Sequence, residues 1–386
     1  MQKIIRSIGL FSLAFLLTAC GFFDKDNTPQ PSPLPQYKPV TTEKRLWSST
    51  EIGFGSGPDH LRIGPAIDAD TIYVASNKGL VTAIHLTNGA KKWQIQTGTM
   101  LSTTPGTNGQ TLVIGNQQGE VIAVNQQNGK IRWKSNVDGE VLAAPTVLDD
   151  KVLIKTINGE VKALSLADGH EIWSYQEAEP TLILRGASAP LVLDHSAIVG
   201  FASGNLVKLN LQNGRAVWTQ AIAVPDGAFA ITRMIDIDAD PILYQHQLYA
   251  ATYQGKIASL DLGTGAINWS RSISSYTGMV ADNDTVYISD ANSDLFAFNA
   301  ATGETKWHQT KLRYRLITAP ALMDGYLVVG DQEGYLHWIN KHTGEFAANT
   351  RVGPMNTAPI VQNHVLYALT TEGYLAAYTI TSPLLN

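Results

Sequence analysis

Residues 159–173 read GEVKALSLADGHEIW, and this stretch decides the fold. It begins on Gly159, which closes a short polar turn, reaches a second turn glycine at Gly169, and ends four residues later on Trp173. Between the two glycines, apolar and polar residues alternate, which is typical of a β-strand with one buried face. The stretch therefore predicts two antiparallel strands joined by a tight turn.

The same spacing recurs along the chain with a period of about 40 residues. The first glycine has counterparts at Gly79, Gly119, Gly204, Gly255, Gly334 and Gly373, with Ser293 in the one remaining slot. The tryptophan has counterparts at Trp93, Trp133, Trp218, Trp269 and Trp307, with Ala348 as the exception. Four-stranded units repeated at this period are the sequence signature of a β-propeller. A tryptophan that recurs in all but one of the complete units is more simply a wedge between units than part of a ligand site.

The number of units can be counted, and the last one is incomplete. Eight modules are present, but the eighth stops after Tyr378, and Pro383 stands where its second turn glycine is expected. Residues 44–47 supply a strand that carries the same tryptophan, Trp47, ahead of the first module. We expect this N-terminal strand to complete the last blade, because closing the ring removes exposed strand edges. The sequence thus predicts an all-β, eight-bladed β-propeller over residues 43–386.

Composition excludes several classes of protein. The chain of 386 residues carries 28 Lys and Arg against 33 Asp and Glu, without a basic cluster, so nucleic acid is not an expected partner. Its single cysteine cannot form an internal disulfide. The nine histidines show no metal-ligand spacing, and no metal is expected.

The N-terminus reads as a secretion signal followed by a tether. Lys3 and Arg6 precede an apolar run that is too short for a stable membrane span, so residues 1–19 are predicted to be a signal peptide. Residues 17–20, Leu-Thr-Ala-Cys, resemble the lipobox of bacterial lipoproteins, which implies that Cys20 is the lipidated first residue of the mature chain. Residues 20–42 are rich in proline, which favours extended chain, and are predicted to be a tether.

Two connections between modules are longer than the others. The distance from a module tryptophan to the proline that opens the next module is 12 residues after Trp93 and Trp133, but 17 after Trp173 and 23 after Trp218. Because these connections are consecutive and of one type, their extra residues are expected on one face. Long loops on a rigid scaffold are where binding usually resides.

The repeats resemble those of pyrroloquinoline quinone (PQQ) dehydrogenases, which are eight-bladed propellers of the quinoprotein dehydrogenase type. The whole chain more closely resembles the BamB family of outer-membrane assembly lipoproteins, through three segments: residues 182–186 (LILRG), 233–238 (RMIDID) and 334–340 (GYLHWIN). That resemblance implies a non-enzymatic scaffold without a cofactor, anchored in the outer membrane, facing the periplasm and acting in the Bam complex. It also implies binding to the POTRA domains of BamA and help to unfolded outer-membrane protein clients.

The two inserts contain the residues that would bind this partner. The resemblance assigns the role to the LxLR and DxD positions and, more weakly, to the residue that opens the RMIDID segment. The expected partner-binding residues are Leu182, Leu184, Arg185, Arg233, Asp236 and Asp238. From the residues alone, an internal role is equally consistent: the leucines could lie under the loop, with Arg185 pairing Asp236 or Asp238.

Two other functions stay open at this stage. One is a PQQ-dependent dehydrogenase, although the chain has no vicinal cysteines and no obvious set of axial acids. The other is a lipoprotein that binds a different periplasmic ligand in its central pore, where Tyr253, Tyr276 and Tyr335 are candidate lining residues.

Overall fold

The protein is described by a computed structural model that covers residues 28–50, 52–53, 61–186 and 188–381. The chain divides into two compact units, residues 1–31 and residues 32–386. Every strand of the described residues lies in the second unit, and these strands form eight antiparallel sheets of four strands each. The predicted lipidated Cys20 and the signal peptide lie outside the described residues, so residues 1–19, 20–42 and 43–386 stay predictions as domain boundaries.

The strands follow the repeat predicted from the sequence. The first strand is β1 (Glu43–Ser49). Blades 1 to 4 comprise β2 (Pro65–Asp68), β3 (Thr71–Ala75), β4 (Leu80–His85), β5 (Lys91–Gln96); β6 (Gly106–Thr107), β7 (Thr111–Gly115), β8 (Glu120–Asn125), β9 (Ile131–Asn136); β10 (Thr146–Val147), β11 (Lys151–Lys155), β12 (Glu160–Ser165), β13 (Glu171–Gln176); and β14 (Leu191–Leu193), β15 (Ser196–Gly200), β16 (Asn205–Asn210), β17 (Ala216–Ala221). Blades 5 to 8 comprise β18 (Ile242–Tyr244), β19 (Gln247–Ala251), β20 (Gly255–Asp261), β21 (Ile267–Ile273); β22 (Met279–Asp282), β23 (Thr285–Ser289), β24 (Leu295–Asn299), β25 (Thr305–Gln309); β26 (Ala321–Met323), β27 (Tyr326–Gly330), β28 (Tyr335–Asn340), β29 (Phe346–Arg351); and β30 (Ile360–Gln362), β31 (Val365–Leu369), β32 (Leu375–Ile380) together with β1. Within the described residues, one 3-10 turn spans Ala230–Arg233.

The ring closes through its own N-terminal strand. In blade 8 the strand order is β1-β32-β31-β30, and β1 pairs antiparallel with β32 from Glu43 opposite Ile380 to Ser49 opposite Leu375. The predicted eight-bladed, N-terminally closed propeller is therefore confirmed. Without β1, the backbone edge of β32 would be open to pairing with another chain.

The core is divided among the junctions between blades. The described residues contain eight clusters of buried apolar side chains, and each joins two neighbouring blades. In one of them, Val113 and Trp133 of blade 2 pack with Val152 and Leu164 of blade 3. The ring is thus held by eight similar apolar interfaces rather than by one central core, as expected for a repeat fold.

The module tryptophans wedge these junctions, as predicted. The indole Nε1 of Trp133 donates to the carbonyl of Leu166 in the next blade at 2.9 Å. The Trp133 ring lies against the second turn glycine of the next blade, Gly169. A Cβ added at Gly169 would lie 2.6 Å from Cε3 of the Trp133 ring. The same hydrogen bond to the next blade is made by Trp47, Trp93, Trp173, Trp218, Trp269 and Trp307. The second turn glycine of each module is therefore explained by the tryptophan of the module before it.

Residues 32–42 lie against the ring rather than apart from it, and we call them the strap. The Ser32 amide donates to the Arg313 carbonyl at 2.9 Å, and the Val40 amide donates to the Ala347 carbonyl at 3.0 Å. Between them, the Tyr37 ring packs on Phe346 with 5.6 Å between centroids. These contacts with blade 7 and with the connection leading into it could not be anticipated from the proline content of the segment.

Candidate partner-binding face

The two long connections emerge on one face of the ring and join each other there. We call residues 177–190 the first insert, residues 222–241 the second insert, and the face from which they emerge the insert face. The Asp236 carboxylate accepts the Leu184 amide at 2.8 Å, and the Asp240 carboxylate accepts the Ala189 amide at 2.7 Å. The Ser188 hydroxyl donates to the Ile237 carbonyl at 3.0 Å. The inserts therefore form one continuous surface.

Leu182 and Arg185 lie on the solvent-facing side of the first insert. Leu182 is 43% exposed, and the Arg185 side chain is 47% exposed. Arg185 Nη2 lies 2.5 Å from Glu140 Oε2 in the connection between blades 2 and 3, so this guanidinium pairs neither Asp236 nor Asp238. Of the two arrangements that the sequence left open, the structure favours the outward one for these side chains. Leu184 is half-buried.

The two aspartates of the DxD segment face inward. Asp236 is only 1% exposed and holds the backbone of Leu184, so it positions the LxLR segment instead of forming part of the outer surface. Asp238 is half-buried and packs on Gly186, where a Cβ would come within 2.6 Å of the carboxyl group. A side chain at position 186 would therefore push the inserts apart.

Arg233 lies on the second insert beside apolar side chains that sequence reasoning missed. It is exposed and ends the 3-10 turn. Val224, Phe229 and Ile231 on the same insert are 76%, 71% and 60% exposed. Exposed apolar side chains of this size, gathered on one insert, mark interaction surfaces. The sequence does not single them out, because Ile222, Met234, Ile235 and Ile237 on the same insert are also large and apolar but are buried.

A cluster of buried and half-buried charged groups underlies the insert junction. Burial, and then the neighbouring Asp238, raise the pKa of Asp236 to about 7. Burial also raises the pKa of Glu179 to about 6, against the opposing effect of Lys155. The pKa of Asp238 is likewise raised by burial, while Lys155 and Arg62 lower it. The junction therefore changes its charge near neutral pH.

Arg62, in the connection that leads into blade 1, reaches the connection that leads into blade 6 next to this cluster. Its Nη1 donates to the Tyr276 carbonyl at 2.6 Å, and its guanidinium lies 4.8 Å from the centre of the Tyr276 ring. A cavity of about 320 Å³ opens beside it, lined by Leu184, Arg185, Asp238, Tyr253 and Tyr276 among others. Two of the three tyrosines expected in the pore thus line this cavity.

Tyr335, the third tyrosine proposed for the pore, stacks near His337 and lies under the guanidinium of Arg315 instead.

Within the described ranges, no group of three or more His, Cys, Asp or Glu side chains is arranged to hold a metal ion. In those same ranges, no helix has the length and apolar character needed to cross a membrane.

Comparison with known proteins identifies the family. A family model described as outer membrane protein assembly factor BamB matches residues 77–309 and 298–382. The chain belongs to the BamB family. A BamB of Alkalilimnicola ehrlichii is 41% identical over 377 residues, which cover 96% of each chain. The crystal structure of BamB from Moraxella catarrhalis superposes with a TM-score of 0.81 at 29% identity, covering 88% of this chain and 100% of that one.

The likeness to quinone enzymes concerns the fold alone. Quinohemoprotein alcohol dehydrogenase from Comamonas testosteroni superposes with a TM-score of 0.68, over 89% of this chain and 78% of that one, but at only 12% identity. BamB membership places this chain with assembly factors instead of with dehydrogenases, as the sequence resemblance implied. The eight-bladed ring is common to both groups.

Proposed function

We propose that this protein is a non-enzymatic scaffold of the outer-membrane β-barrel assembly (Bam) complex. It binds the POTRA domains of BamA through its insert face and aids the folding and insertion of outer-membrane proteins. Its BamB family membership supports the assembly role. The partner surface is supported by one observation: Leu182 and Arg185 lie exposed on the first insert, whose backbone the buried Asp236 carboxylate holds at Leu184.

The chemistry of this surface suits a protein partner. An aliphatic anchor provides apolar area, and a guanidinium offers forked hydrogen bonds and tolerates partial burial better than an ammonium group. Because the pair with Glu140 is exposed, it contributes little to stability. Arg185 is thus free to exchange Glu140 for an acceptor on a partner at small cost.

Charge reversal at Arg185 tests this surface. We expect Arg185→Glu to leave the fold intact and to abolish co-purification with BamA, because the introduced carboxylate would face Glu140 and repel an acidic acceptor. Arg215→Glu is a control, since Arg215 is also exposed but lies in the turn before β17, the outer strand of blade 4, on the opposite face. Retention of BamA by Arg185→Glu would remove the interface assignment.

We further propose that Cys20 is lipidated and anchors the protein in the outer membrane, facing the periplasm. The tetrad at residues 17–20 supports this assignment. Acyl chains contribute about 0.8 kcal/mol per buried CH₂, so a multiply acylated cysteine holds a protein on a membrane without a spanning segment. Cys20→Ala should move the protein from the outer-membrane fraction to the soluble periplasm. Continued sedimentation with outer membranes would contradict the anchor.

A further inference from the structure

Lys155 occupies a repeat slot that is otherwise uncharged. It ends β11 and stands four residues before the first turn glycine of its module, Gly159. The equivalent residues of the other modules are small or apolar: Ala75, Gly115, Gly200, Ala251, Ser289, Gly330 and Leu369. Lys155 is only 5% exposed. Lysine is almost never buried to this extent unless it is paired, so this slot calls for a specific explanation.

Lys155 lies beside a turn of blade 4 to which both inserts are bonded: the Phe201 carbonyl accepts the Ile237 amide of the second insert at 3.1 Å, and the Ala202 amide donates to Glu179 of the first insert. The ammonium group of Lys155 lies 5.5 Å from the centre of the Phe201 ring. Burial lowers the pKa of Lys155, while the carboxyl groups of Asp238, Glu179, Asp240 and Asp236 raise it. One of these acids belongs to the first insert and three belong to the second. Arg62 is a second cation that acts on Asp238 and on Asp240.

The same acids hold the backbone at the insert junction. Asp236 and Asp240 bind the amides of Leu184 and Ala189 in the first insert. Glu179 Oε1 accepts the Ala202 amide of blade 4 at 3.2 Å. Their second oxygens are less well satisfied, because Asp236 Oδ2 and Glu179 Oε2 are buried without a hydrogen-bond partner among the described residues. Ionised carboxylates this close together repel one another unless a cation lies among them.

We propose that Lys155 is the counter-ion that holds the two inserts in one arrangement, and is thereby a positioning residue for the partner surface of Leu182 and Arg185. This inference rests on the proposed function. Lys155 itself is buried and does not reach the outer surface. It acts through the carboxylates that fix the LxLR backbone. Removal of Lys155 should therefore loosen the first insert, and any effect on partner binding should follow from that loosening.

Lys155→Met tests the proposal, because methionine keeps the apolar stem and removes the charge. At pH 7.5 we expect affinity for a soluble fragment of the BamA POTRA domains to fall by about tenfold or more, since the acids are left uncompensated. At pH 6 much of the loss should be recovered. The pKa values of Asp236 and Glu179 are raised to about 7 and about 6, so both groups take up protons as the pH falls to 6. Once neutral, they no longer repel Asp238, Asp240 and the nearby Glu177.

Lys341→Met is the matched control. Lys341 is also buried, at 4% exposure, and its Nζ lies 2.6 Å from Asp282 Oδ2, away from both inserts. This variant should bind as the unmodified protein does at both pH values. Lys155→Arg keeps the charge and should bind within about threefold of the unmodified protein. If Lys155→Met bound normally, or lost the same affinity at both pH values, the proposal would be overturned.

Amide hydrogen exchange in the free protein tests the same claim without a partner. At pH 7.5, Lys155→Met should accelerate exchange at Leu184 and Ala189 relative to Lys341→Met. Equal exchange at these two amides in the two variants, or an acceleration spread evenly over all eight blades, would overturn the inference. If Arg185→Glu kept full affinity while this exchange still rose, the proposed partner surface would fail and the role of Lys155 in holding the inserts would stand.

Discussion

The indole ring of Trp133 occupies the space that a side chain at position 169 would need, and Gly169 is the residue that leaves this space free. At Gly169 the backbone has a φ of +79°, a conformation that also favours glycine. We therefore expect Gly169→Ala to be destabilising on both counts. Its control is Gly98→Ala, because Gly98 has a φ of +86° but nothing within 4 Å of an added Cβ. In urea unfolding, the first substitution should cost about 1–3 kcal/mol more than the second. Equal costs would contradict the wedge.

Trp133→Ala should destabilise the junction between blades 2 and 3 from the other side. The ring is 8% exposed, and its indole hydrogen bond to Leu166 would be lost with it. Truncation of a buried aromatic residue costs about 3–5 kcal/mol. The exposed Ile131, two residues earlier on the same strand, gives the control variant Ile131→Ala, for which a loss below about 1 kcal/mol is expected. A thermal melt of both variants decides the point.

Ring closure predicts a sharp difference between two truncated chains. A chain that begins at residue 43 keeps β1, whereas one that begins at residue 50 exposes the edge of β32. We expect the shorter chain to aggregate and to melt at a lower temperature, because an open edge pairs with other chains. Light scattering during the melt measures both effects. A monomeric, equally stable shorter chain would show that closure contributes nothing.

The strap should detach when its aromatic contact is removed. Tyr37→Ala removes the ring that packs on Phe346, and exchange of the Val40 amide should then accelerate. Leu34→Ala is the control in the same segment, because Leu34 is already 36% exposed. If exchange at Val40 were the same in both variants, the strap would be held by its backbone hydrogen bonds alone.

The raised pKa of Asp236 makes stability depend on pH in a definite direction. Folding raises this pKa from 3.8 to about 7, so the folded chain binds the proton more tightly than the unfolded chain. The free energy of unfolding should therefore fall as the pH rises from about 4 to about 7, and this contribution should level off above that. In Asp236→Asn the decline should be shallower. A variant with the same slope as the unmodified protein would show that Asp236 does not titrate in this range.

The fold was predictable because the same local rule is repeated in every module. Gly159, Gly169 and Trp173 define a spacing that the other modules repeat, so each copy is independent support for the same four-stranded unit. The incomplete eighth module and Trp47 also predicted closure, since the missing strand and the spare strand match. The strap was not predictable, because its contacts join Tyr37 to Phe346, a pair with no repeat relationship.

The candidate site was predictable in position but not in detail. Counting residues located both inserts, since an extra loop stands out against a constant spacing. The partner of Arg185 could not be found this way, because Glu140 lies 45 residues earlier in a connection of ordinary length. The inward orientation of Asp236 depends on a contact between the two inserts, which spacing does not encode. Lys155 did leave a signal, as the one charged residue in its repeat slot.

Site-specific photo-cross-linking in cells tests the central claim most directly. A photoreactive amino acid at Leu182, on the insert face, is compared with one at Asn213, which is exposed in the turn on the opposite face of blade 4. Our account predicts cross-links from position 182 to a POTRA domain of BamA and none from position 213. Cross-links to BamA from position 213 alone would contradict it.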